Sequence, residues 1–300
     1  MKRNKSIRKG KSSDTFTVHE TTTLLPLLHT LYPKRSRNAV KSILTQGRVM
    51  VEGEVVTQYN YHLAKGTTIT VSHQARVSQP KLTGLTIIHE DKDIIVIEKD
   101  TGLLSIATHK EKQMTAYHQL SQYVKQQHPK ERIFIVHRLD KDTSGVMIFA
   151  RSEHVKRKLQ DDWKKNVQER TYVALVEGKV AKQSGTITSW LNETATHLMY
   201  SSPKPNGGKK AITHYKILQA NAHYSLLEVQ LDTGRKNQIR VHMQEVGHPI
   251  VGDKKYGAKG NPIGRLGLHA KTITFTHPGN GKLVSFRSNM PTAFDDRSKT

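Results

Sequence analysis

The amino-acid sequence predicts an α+β protein, with a large mixed sheet in its C-terminal part and a smaller α/β domain before it. Its 300 residues suggest two domains, at roughly 150 residues each. Most of the second part consists of short β-branched and aromatic runs separated by turn residues, which is the pattern of β-strands. Only a few stretches have the apolar spacing of a helix.

The N-terminal part is predicted to be a basic arm followed by a small domain. Residues 1–14 contain six Lys or Arg and almost nothing to bury, which predicts a disordered arm. A compact domain is predicted over residues 15–73. Leucines over 24–31 predict a first helix, and a second helix is predicted from the N-cap Ser36 to Gly47. Short strands follow in "RVMVEG", "EVVTQ" and "TTITV".

The second domain is predicted over residues 85–300, after a linker at 74–84 that lacks periodicity and contains proline and glycine. Helices are predicted over 115–127, 154–165 and 238–246, the last one ending before a glycine. Strands are predicted in "IFIV", "VMIFA", "LTIIHEDKDIIVIEK", "TYVALVEGKV", "ITSWL", "AITHYKIL", "YSLLEVQL" and "TITFTHP".

Charge and composition narrow the classes of function. The chain has 48 Lys and Arg against 25 Asp and Glu, a net charge of +23, which favours a polyanion such as nucleic acid as the partner. A solubilising basic surface or an acidic membrane surface is the alternative. The chain contains no cysteine, so disulfides and thiolate metal sites are excluded. No signal peptide or membrane span is visible, and we expect a soluble, cytoplasmic monomer without membrane contact.

Several kinds of catalytic site are not supported by the sequence. The 17 histidines are scattered without the spacing of a zinc site, so no metal is predicted. "PNGGKK" and "GNGKL" lack the spacing of a phosphate-binding loop, so no nucleotide cofactor is predicted. Ser144 could belong to a Ser-His-Asp triad, but no Gly-x-Ser-x-Gly motif surrounds it.

One loop concentrates polar side chains between two buried strands. In "IFIVHRLDKDTSGVMIFARS", Arg138, Asp140 and Asp142 lie between apolar runs. Asp142 and the following Thr-Ser-Gly are typical of a turn in which side-chain oxygens accept from nearby N–H groups. Asp140 and Arg138 suit either a catalytic site or a simple salt bridge at a strand end. Residue chemistry alone does not separate these two interpretations.

The N-terminal domain resembles a known RNA-binding module. The stretch "KRSRNAVKSILTQGRVMVEGEVVTQYNYHLAKGTTITV" is similar to the small module first described in a ribosomal small-subunit protein, over about residues 16–73. The resemblance implies RNA binding through a basic helix. A charged solvent face on an amphipathic helix is the more ordinary explanation of the same pattern. The candidate RNA-binding residues are Arg35, Arg37, Lys41 and Arg48.

The second domain resembles the pseudouridine synthases of the ribosomal large-subunit synthase A family. "HRLDKDTSGVMIFARS" is similar to the family signature, and "IIHEDKDIIVIEK", "RTYVALVEG", "LDTGRKNQIRVHMQEVGHPIVGDKKYG" and "LGLHAKTITFTHP" match in the expected order, over roughly residues 85–290. The resemblance implies the family fold, a mixed and mostly antiparallel sheet with flanking helices. It also implies isomerisation of uridine in RNA without cofactor or metal.

The resemblance assigns a role to each matching residue. Asp140 corresponds to the catalytic carboxylate, and Arg240 to the arginine that pairs with it. Tyr172 corresponds to the active-site tyrosine that stacks on the uracil, and Arg138 to the arginine that helps displace the target base. Apolar walls are expected from Ile239 and Leu268. Without the match, Tyr172 would be explained as strand packing.

Two positions depart from the family pattern. Asp100 follows Lys99 where many members have proline, and Asn237 replaces a histidine. We expect Asn237 to cap the helix that follows. The predicted substrate is large-subunit ribosomal RNA, with transfer RNA as the alternative. Two rival functions are a non-catalytic RNA-binding or ribosome-assembly protein, and an RNA hydrolase or glycosidase using Asp140 and Asp142 as paired carboxylates.

Overall fold

A computed structural model describes residues 13–73, 82–161 and 163–299. The chain forms two compact units, Met1–Pro80 and Lys81–Thr300. The predicted arm over residues 1–12 and most of the predicted linker, residues 74–81, lie outside the described residues. Among the described residues, no helix is both long and apolar enough to cross a membrane.

The first unit packs two helices against small antiparallel sheets. Ser36 accepts a hydrogen bond from the N–H of Ala39 at 3.3 Å, which confirms the predicted N-cap. Leu24, Leu28 and Val40 are fully buried, so the predicted apolar stripes form the core. The sheets have the order β1-β6-β3-β4 and β2-β5. The elements are β1 Ser13–Thr17, β2 Thr22–Thr23, α1 Leu24–Leu31, α2 Arg37–Thr45, β3 Val49–Val51, β4 Glu54–Val55, β5 His62–Leu63 and β6 Thr68–Ser72.

The second unit is built on one 11-stranded sheet with helices beside it. Its first elements are β7 Leu85–Glu90, β8 Ile94–Lys99, α3 Ala116–Gln127, β9 Phe134–Ile135, β10 Ser144–Ala150, α4 Glu153–Asp161 and α5 Trp163–Asn166. The others are β11 Val167–Glu177, β12 Ser184–Glu193, β13 Met199–Ser202, β14 Lys209–Ala220, β15 Tyr224–Leu231, α6 Gln238–Glu245, a 3₁₀ turn Lys254–Tyr256, β16 Leu268–Thr276, β17 Leu283–Arg287 and α7 Thr292–Ser298.

The large sheet is mixed but almost entirely antiparallel. Its main order is β13-β12-β14-β15-β11-β16-β10-β8-β7, with β17 beside β16 and β9 beside β10. Among the described strands of this sheet, only β10 and β16 pair in parallel. The predicted α+β fold with a large mixed sheet is therefore confirmed.

The centre of the sheet fixes the end of the polar loop. Gly145 pairs with Ala270 of β16, and Ala270 pairs on its other side with Tyr172 of β11. Gly145 has φ +113°, and a Cβ on it would lie 2.1 Å from the carbonyl oxygen of Ala270. Only glycine fits this close approach. The sheet therefore aligns the loop with Tyr172 across one strand.

The structure differs from the sequence prediction mainly at element boundaries. Strand β1 begins at Ser13, inside the arm predicted over 1–14, and Thr83 exchanges two hydrogen bonds with the Gln119 side chain, so the second unit begins before residue 85. The helix predicted over 154–165 corresponds to α4 and α5, which lie on either side of residue 162, outside the described residues. β13, β17 and α7 were not predicted, because short runs give a weak periodic signal.

Candidate active site

A cavity of about 680 Å³ brings the predicted catalytic and substrate-contacting residues together. They come from the polar loop before β10, from β11, from α6 and from the start of β16. Residues far apart in the chain therefore share one concave site, as expected of a binding pocket for a small group. The six are Arg138, Asp140, Tyr172, Ile239, Arg240 and Leu268.

Asp140 faces Arg240 across the cavity wall. Nη1 of Arg240 donates to Oδ2 of Asp140 at 3.3 Å. The Asp140 side chain is 31% exposed and the Arg240 side chain 14% exposed, so the carboxylate is open to a ligand while the guanidinium is largely covered. The ion pair therefore positions the carboxylate of Asp140 at the cavity, where it can act as a nucleophile or base.

A second carboxylate holds Arg240, and the sequence analysis missed it. Nε and Nη2 of Arg240 donate to the two oxygens of Asp253 at 2.6 and 2.8 Å, a bidentate pair. The Asp253 side chain is 1% exposed. Burial alone would lower the pKa of Arg240, but the hydrogen bonds and charge of Asp253, with the charge of Asp140, raise the pKa overall. Asp253 lies in "GHPIVGDKKYG", part of a stretch that matches the family pattern. That match was the signal in the sequence that could have identified Asp253 as a site residue.

Asn237 does not cap α6, so that expectation was wrong. It has φ +55°, in the left-handed region, and its side chain makes no capping hydrogen bond. Its Oδ1 instead accepts from Nη1 of Arg240 at 3.3 Å, and its Nδ2 donates to the Tyr256 hydroxyl at 2.8 Å. The Tyr256 ring lies under the guanidinium of Arg240, 4.9 Å from centroid to Cζ. Asn237 and Tyr256 thus help to orient Arg240.

Lys99 anchors the polar loop from beneath. The Lys99 side chain is fully buried, and its Nζ donates to the carbonyls of Asp100, Leu103 and Lys141 at 2.8, 2.8 and 3.0 Å. Burial lowers the pKa of Lys99 to about 8, against the opposing charges of Asp142, Asp140 and Asp100. Nζ of Lys99 contacts residue 100 through its backbone carbonyl and not through its side chain. Aspartate in place of the usual proline therefore keeps this contact.

The loop is held by further contacts to the segment after β8. The Ser105 hydroxyl donates to the carbonyl of Leu139 at 2.7 Å and accepts from the N–H of Leu139 at 3.2 Å. The N–H of Gly102 donates to the carbonyl of Lys141, and the Thr101 hydroxyl donates to the carbonyl of Asp142. Backbone atoms on both sides of Asp140 are therefore fixed before any ligand binds.

Tyr172 is partly buried at the cavity wall. Its ring packs against two hydrophobic clusters of the second unit and also lines the cavity. Tyr172 therefore contributes both to core packing and to the site. Burial is the main cause that raises the pKa of its phenol, while the charge of Arg170 opposes this and the charge of Asp140 adds to it. The hydroxyl therefore stays protonated at neutral pH, beside an apolar ring face suited to stacking.

The other predicted substrate contacts differ in burial. Ile239 and Leu268 are 4% exposed each and form apolar wall, whereas Arg138 is exposed. Within the described residues, the Arg138 side chain makes no hydrogen bond or ion pair. It is therefore free to contact a ligand at the cavity rim.

Asp142 and Ser144 do not make the turn contacts expected of them. The Asp142 carboxylate is exposed and accepts no hydrogen bond within the described part of the chain. The Ser144 hydroxyl is bonded to Nδ1 of His269 at 2.7 Å and accepts from Nη2 of Arg265 at 2.5 Å. A buried serine paired with a histidine and an arginine, with Nε2 of that histidine lacking a carboxylate partner among the described residues, does not form a hydrolytic triad.

The basic residues of the first unit lie on and beside α2. Arg35, Arg37 and Lys41 are exposed, and the guanidinium of Arg35 lies 5.3 Å from the centre of the Tyr32 ring. Arg48 is half-buried, and its Nε donates to the carbonyl of Ser72 at 2.7 Å. Arg48 is thus partly engaged in the fold, while the other three are available to a polyanion.

One cluster of histidine and carboxylate groups lies outside the cavity. Among the described residues, Asp91, Asp93 and His277 place possible ligand atoms within 4.8 Å of one another. Nδ1 of His277 accepts from the N–H groups of Gly279 and Asn280, so its Nε2 carries the proton and donates to Asp91 at 2.9 Å. A ring in that state has no lone pair left for a metal. Hydrogen bonding accounts for Asp91 and His277, whereas Oδ2 of Asp93 is buried without a hydrogen-bond partner among the described residues.

Comparison with known proteins identifies the family. A family model described as RNA pseudouridylate synthase matches residues 93–245. The chain is 32% identical to the uncharacterized RNA pseudouridine synthase YhcT of Bacillus subtilis, over 89% of each chain. It is 31% identical to the ribosomal large subunit pseudouridine synthase D of Haemophilus ducreyi, over 88% of this chain and 86% of that one.

Solved structures show the same fold at lower identity. The human RNA pseudouridylate synthase domain containing 4 superposes with a TM-score of 0.57 at 24% identity, covering 70% of this chain and 90% of that one. The human RNA pseudouridylate synthase domain containing 1 superposes with a TM-score of 0.56, also at 24% identity, covering 70% of this chain and 84% of that one. The chain therefore belongs to the RNA pseudouridine synthase family, whose members are isomerases that act on RNA.

Proposed function

We propose that this protein converts uridine to pseudouridine in large-subunit ribosomal RNA, with Asp140 as the catalytic carboxylate. The single observation that carries the assignment is the ion pair of Asp140 with Arg240 at the wall of a cavity that also contains Tyr172. The ribosomal substrate is supported by similarity to proteins named ribosomal large subunit pseudouridine synthase D. A cytoplasmic site of action follows from that proposal. Transfer RNA is the second candidate substrate.

The reaction requires one bond to break and another to form at the same ribose carbon. The bond from the ribose to nitrogen 1 of uracil breaks and the base turns. Carbon 5 then joins the ribose and loses its hydrogen as a proton, while nitrogen 1 takes up a proton, so that the product is an isomer of uridine. Asp140 acts either as a nucleophile or as a general base, and its target is either the ribose or the uracil. Tyr172 stacks on the uracil, Arg138 displaces the base from its stack, and Ile239 and Leu268 form the apolar wall. Arg240 orients the carboxylate of Asp140 through their ion pair.

We also propose that the first unit binds RNA through the exposed basic residues of α2 and of the segment that precedes it. Arg35, Arg37 and Lys41 supply the phosphate contacts, and Arg48 adds positive charge from the end of the helix. The net charge of +23 favours such binding. Because phosphate contacts carry no sequence information, this unit contributes affinity, and the cavity selects the uridine.

Tritium release from RNA labelled at carbon 5 of uridine tests the catalytic assignment. We expect release by the wild-type protein, and a loss of at least 1000-fold for Asp140→Asn with RNA binding kept, on the order expected when a nucleophile is removed. Asp161→Asn is the matched control, because Asp161 is exposed on α4 and lies outside the cavity.

The outcomes separate the rival functions. Equal release by Asp140→Asn and the wild type contradicts the catalytic role of Asp140. Tight binding without release by the wild type favours a non-catalytic RNA-binding protein. Transcripts of large-subunit ribosomal RNA and transfer RNA, offered separately, decide the substrate.

A further inference from the structure

A second cavity of about 490 Å³ shares Arg240 with the first one. Its walls come from α6 and four loops: the segment after β8, the polar loop before β10, the loop with the 3₁₀ turn at 254–256 and the loop that precedes β16. We call it the basic cavity, and its charged lining residues are Asp142, Arg240, Asp253, Lys254, Lys255 and Arg265.

The side chains that line the basic cavity have a net positive charge. Four cationic side chains and two carboxylates line it. Asp253 is already paired in bidentate fashion with Arg240, which leaves Arg265, Lys254 and Lys255 facing the single carboxylate of Asp142. Like charges gathered in a concave site raise the local concentration of an opposite ion.

Arg265 is the cation that most clearly lacks a counter-ion. It is partly buried, donates to the Ser144 hydroxyl and the carbonyl of Leu266, and has no carboxylate within ion-pair distance among the described residues. Burial lowers the pKa of Arg265, while the charge of Asp100 opposes this only in part, because a desolvated guanidinium without a paired carboxylate is costly. An anion in the cavity would offset that cost.

The two lysines are exposed and weakly engaged. Within the described residues, the Lys254 side chain makes no hydrogen bond or ion pair, and Nζ of Lys255 makes one long contact of 3.4 Å to the carbonyl of His197. Both are therefore available to a ligand that enters the basic cavity.

The geometry points to a second substrate contact: we propose that the basic cavity binds a backbone phosphate of the RNA strand, next to the uridine held in the first cavity. This inference rests on the proposed function, because it takes the first cavity as the site of the target nucleotide. The shared wall at Arg240 places the two cavities side by side, as a nucleotide and its neighbouring phosphate require. The bound phosphate contacts Arg265 and the two lysines.

The test compares two double variants that lose the same charge. Lys254→Gln/Lys255→Gln alters the basic cavity, and Lys179→Gln/Lys182→Gln alters exposed lysines outside both cavities. Affinity for a fluorescent ribosomal RNA fragment is measured by anisotropy at several KCl concentrations. For the first variant we expect Kd to rise roughly tenfold, and the slope of log affinity against log salt to fall by about 0.7, the loss of one phosphate contact. Equal changes in both variants would overturn the proposal.

A neutral linkage in the RNA identifies the ligand as a backbone phosphate. One methylphosphonate is moved one position at a time along the fragment. At one position we expect wild-type affinity to fall roughly tenfold, while the affinity of Lys254→Gln/Lys255→Gln, which keeps only Arg265 at the phosphate, falls by a clearly smaller factor. If every position weakens both proteins equally, the proposal is wrong.

These binding measurements do not depend on turnover. Absence of tritium release by the wild type would contradict the proposed function, while the basic cavity would still be decided by the variants and the neutral linkage. Normal release with no difference between the double variants would contradict only the basic cavity.

Discussion

Arg240 contacts two carboxylates at unequal distances. Asp253 accepts both Nε and Nη2 at 2.6 and 2.8 Å, whereas Asp140 accepts only Nη1, at 3.3 Å. Asp253 is inaccessible and Asp140 is partly exposed, so the first fixes the guanidinium and the second remains able to react. The fork geometry of arginine allows this division, and lysine would not.

We predict that Asp253→Asn lowers kcat at least tenfold with a change in KM of less than threefold. The variant leaves one good acceptor, so Arg240 loses its bidentate support and its orientation toward Asp140. The free energy of unfolding should fall by about 3 kcal/mol, because a buried ion pair loses one charge. Steady-state kinetics and urea denaturation measure the two effects.

A purely structural role for Asp253 predicts a different result. In that case the folded Asp253→Asn protein would keep its kcat at a temperature where it is fully folded. Asp253→Glu provides the matched variant, since it keeps the charge and should recover part of kcat.

Helix α2 separates an apolar face from a charged one. Val40, Ile43 and Leu44 are buried in the core of the first unit, while Arg37 and Lys41 are exposed. The helix is therefore stabilised by packing and not by its charges. Its exposed cations can be changed without loss of the fold.

We predict that Arg35→Gln/Arg37→Gln/Lys41→Gln weakens RNA binding and reduces its salt dependence. Loss of three phosphate contacts lowers the slope of log affinity against log salt by about 2 for single-stranded RNA. The rate of tritium release at saturating RNA should change less than twofold, since these residues lie outside the cavity. Anisotropy titrations at several KCl concentrations measure the slope.

Unchanged affinity and slope in the triple variant would remove the RNA-binding role proposed for the first unit. Deletion of residues 1–73 extends the test to the whole N-terminal part. It should weaken binding more than it changes the chemical step.

The second unit as a whole contains three histidines held neutral by burial. Burial lowers the pKa of His137 to about 3, with a further contribution from Arg170, and lowers the pKa of His242 and His269 to about 4. Each ring has a specific partner: His137 accepts from the N–H of Ile148, and His242 lies between Ser189 and Thr213. Protonation is therefore easier in the unfolded chain than in the folded one.

We predict that the second unit loses stability in mild acid. A depressed folded-state pKa contributes stability that is fully present above the unfolded value near 6.5 and is lost as pH falls toward about 4. Between pH 6.5 and pH 5 each neutral histidine should cost about 2 kcal/mol of the free energy of unfolding. Urea denaturation at these two pH values measures the total.

His242→Gln tests this at one site. It should reduce the pH dependence by about 2 kcal/mol over the same interval, because one titrating ring is removed. His223→Gln, at an exposed position, is the matched control and should leave the pH dependence as it is. Identical pH dependence in both variants would contradict the role of His242.

The sequence predicted the features that depend on neighbouring residues. The spacing of leucines gave α1, Ser36 gave the start of α2, and the apolar runs on either side of the polar loop gave β9 and β10. These signals are local, because side-chain period and capping act within a few residues. Boundaries were less accurate: β1 begins at Ser13, inside the predicted arm, because its pairing with β6 orders residues whose local propensity gives no such signal.

The sequence by itself determined the α+β class, the basic character and, through the family resemblance, which aspartate of the loop to select. Only the tertiary structure decided how that aspartate is held. The buried pair of Arg240 with Asp253, the anchoring of the loop by Lys99 and the role of Asn237 all join segments distant in the chain. No local pattern encodes such contacts, since they arise when the sheet brings separate loops to one place.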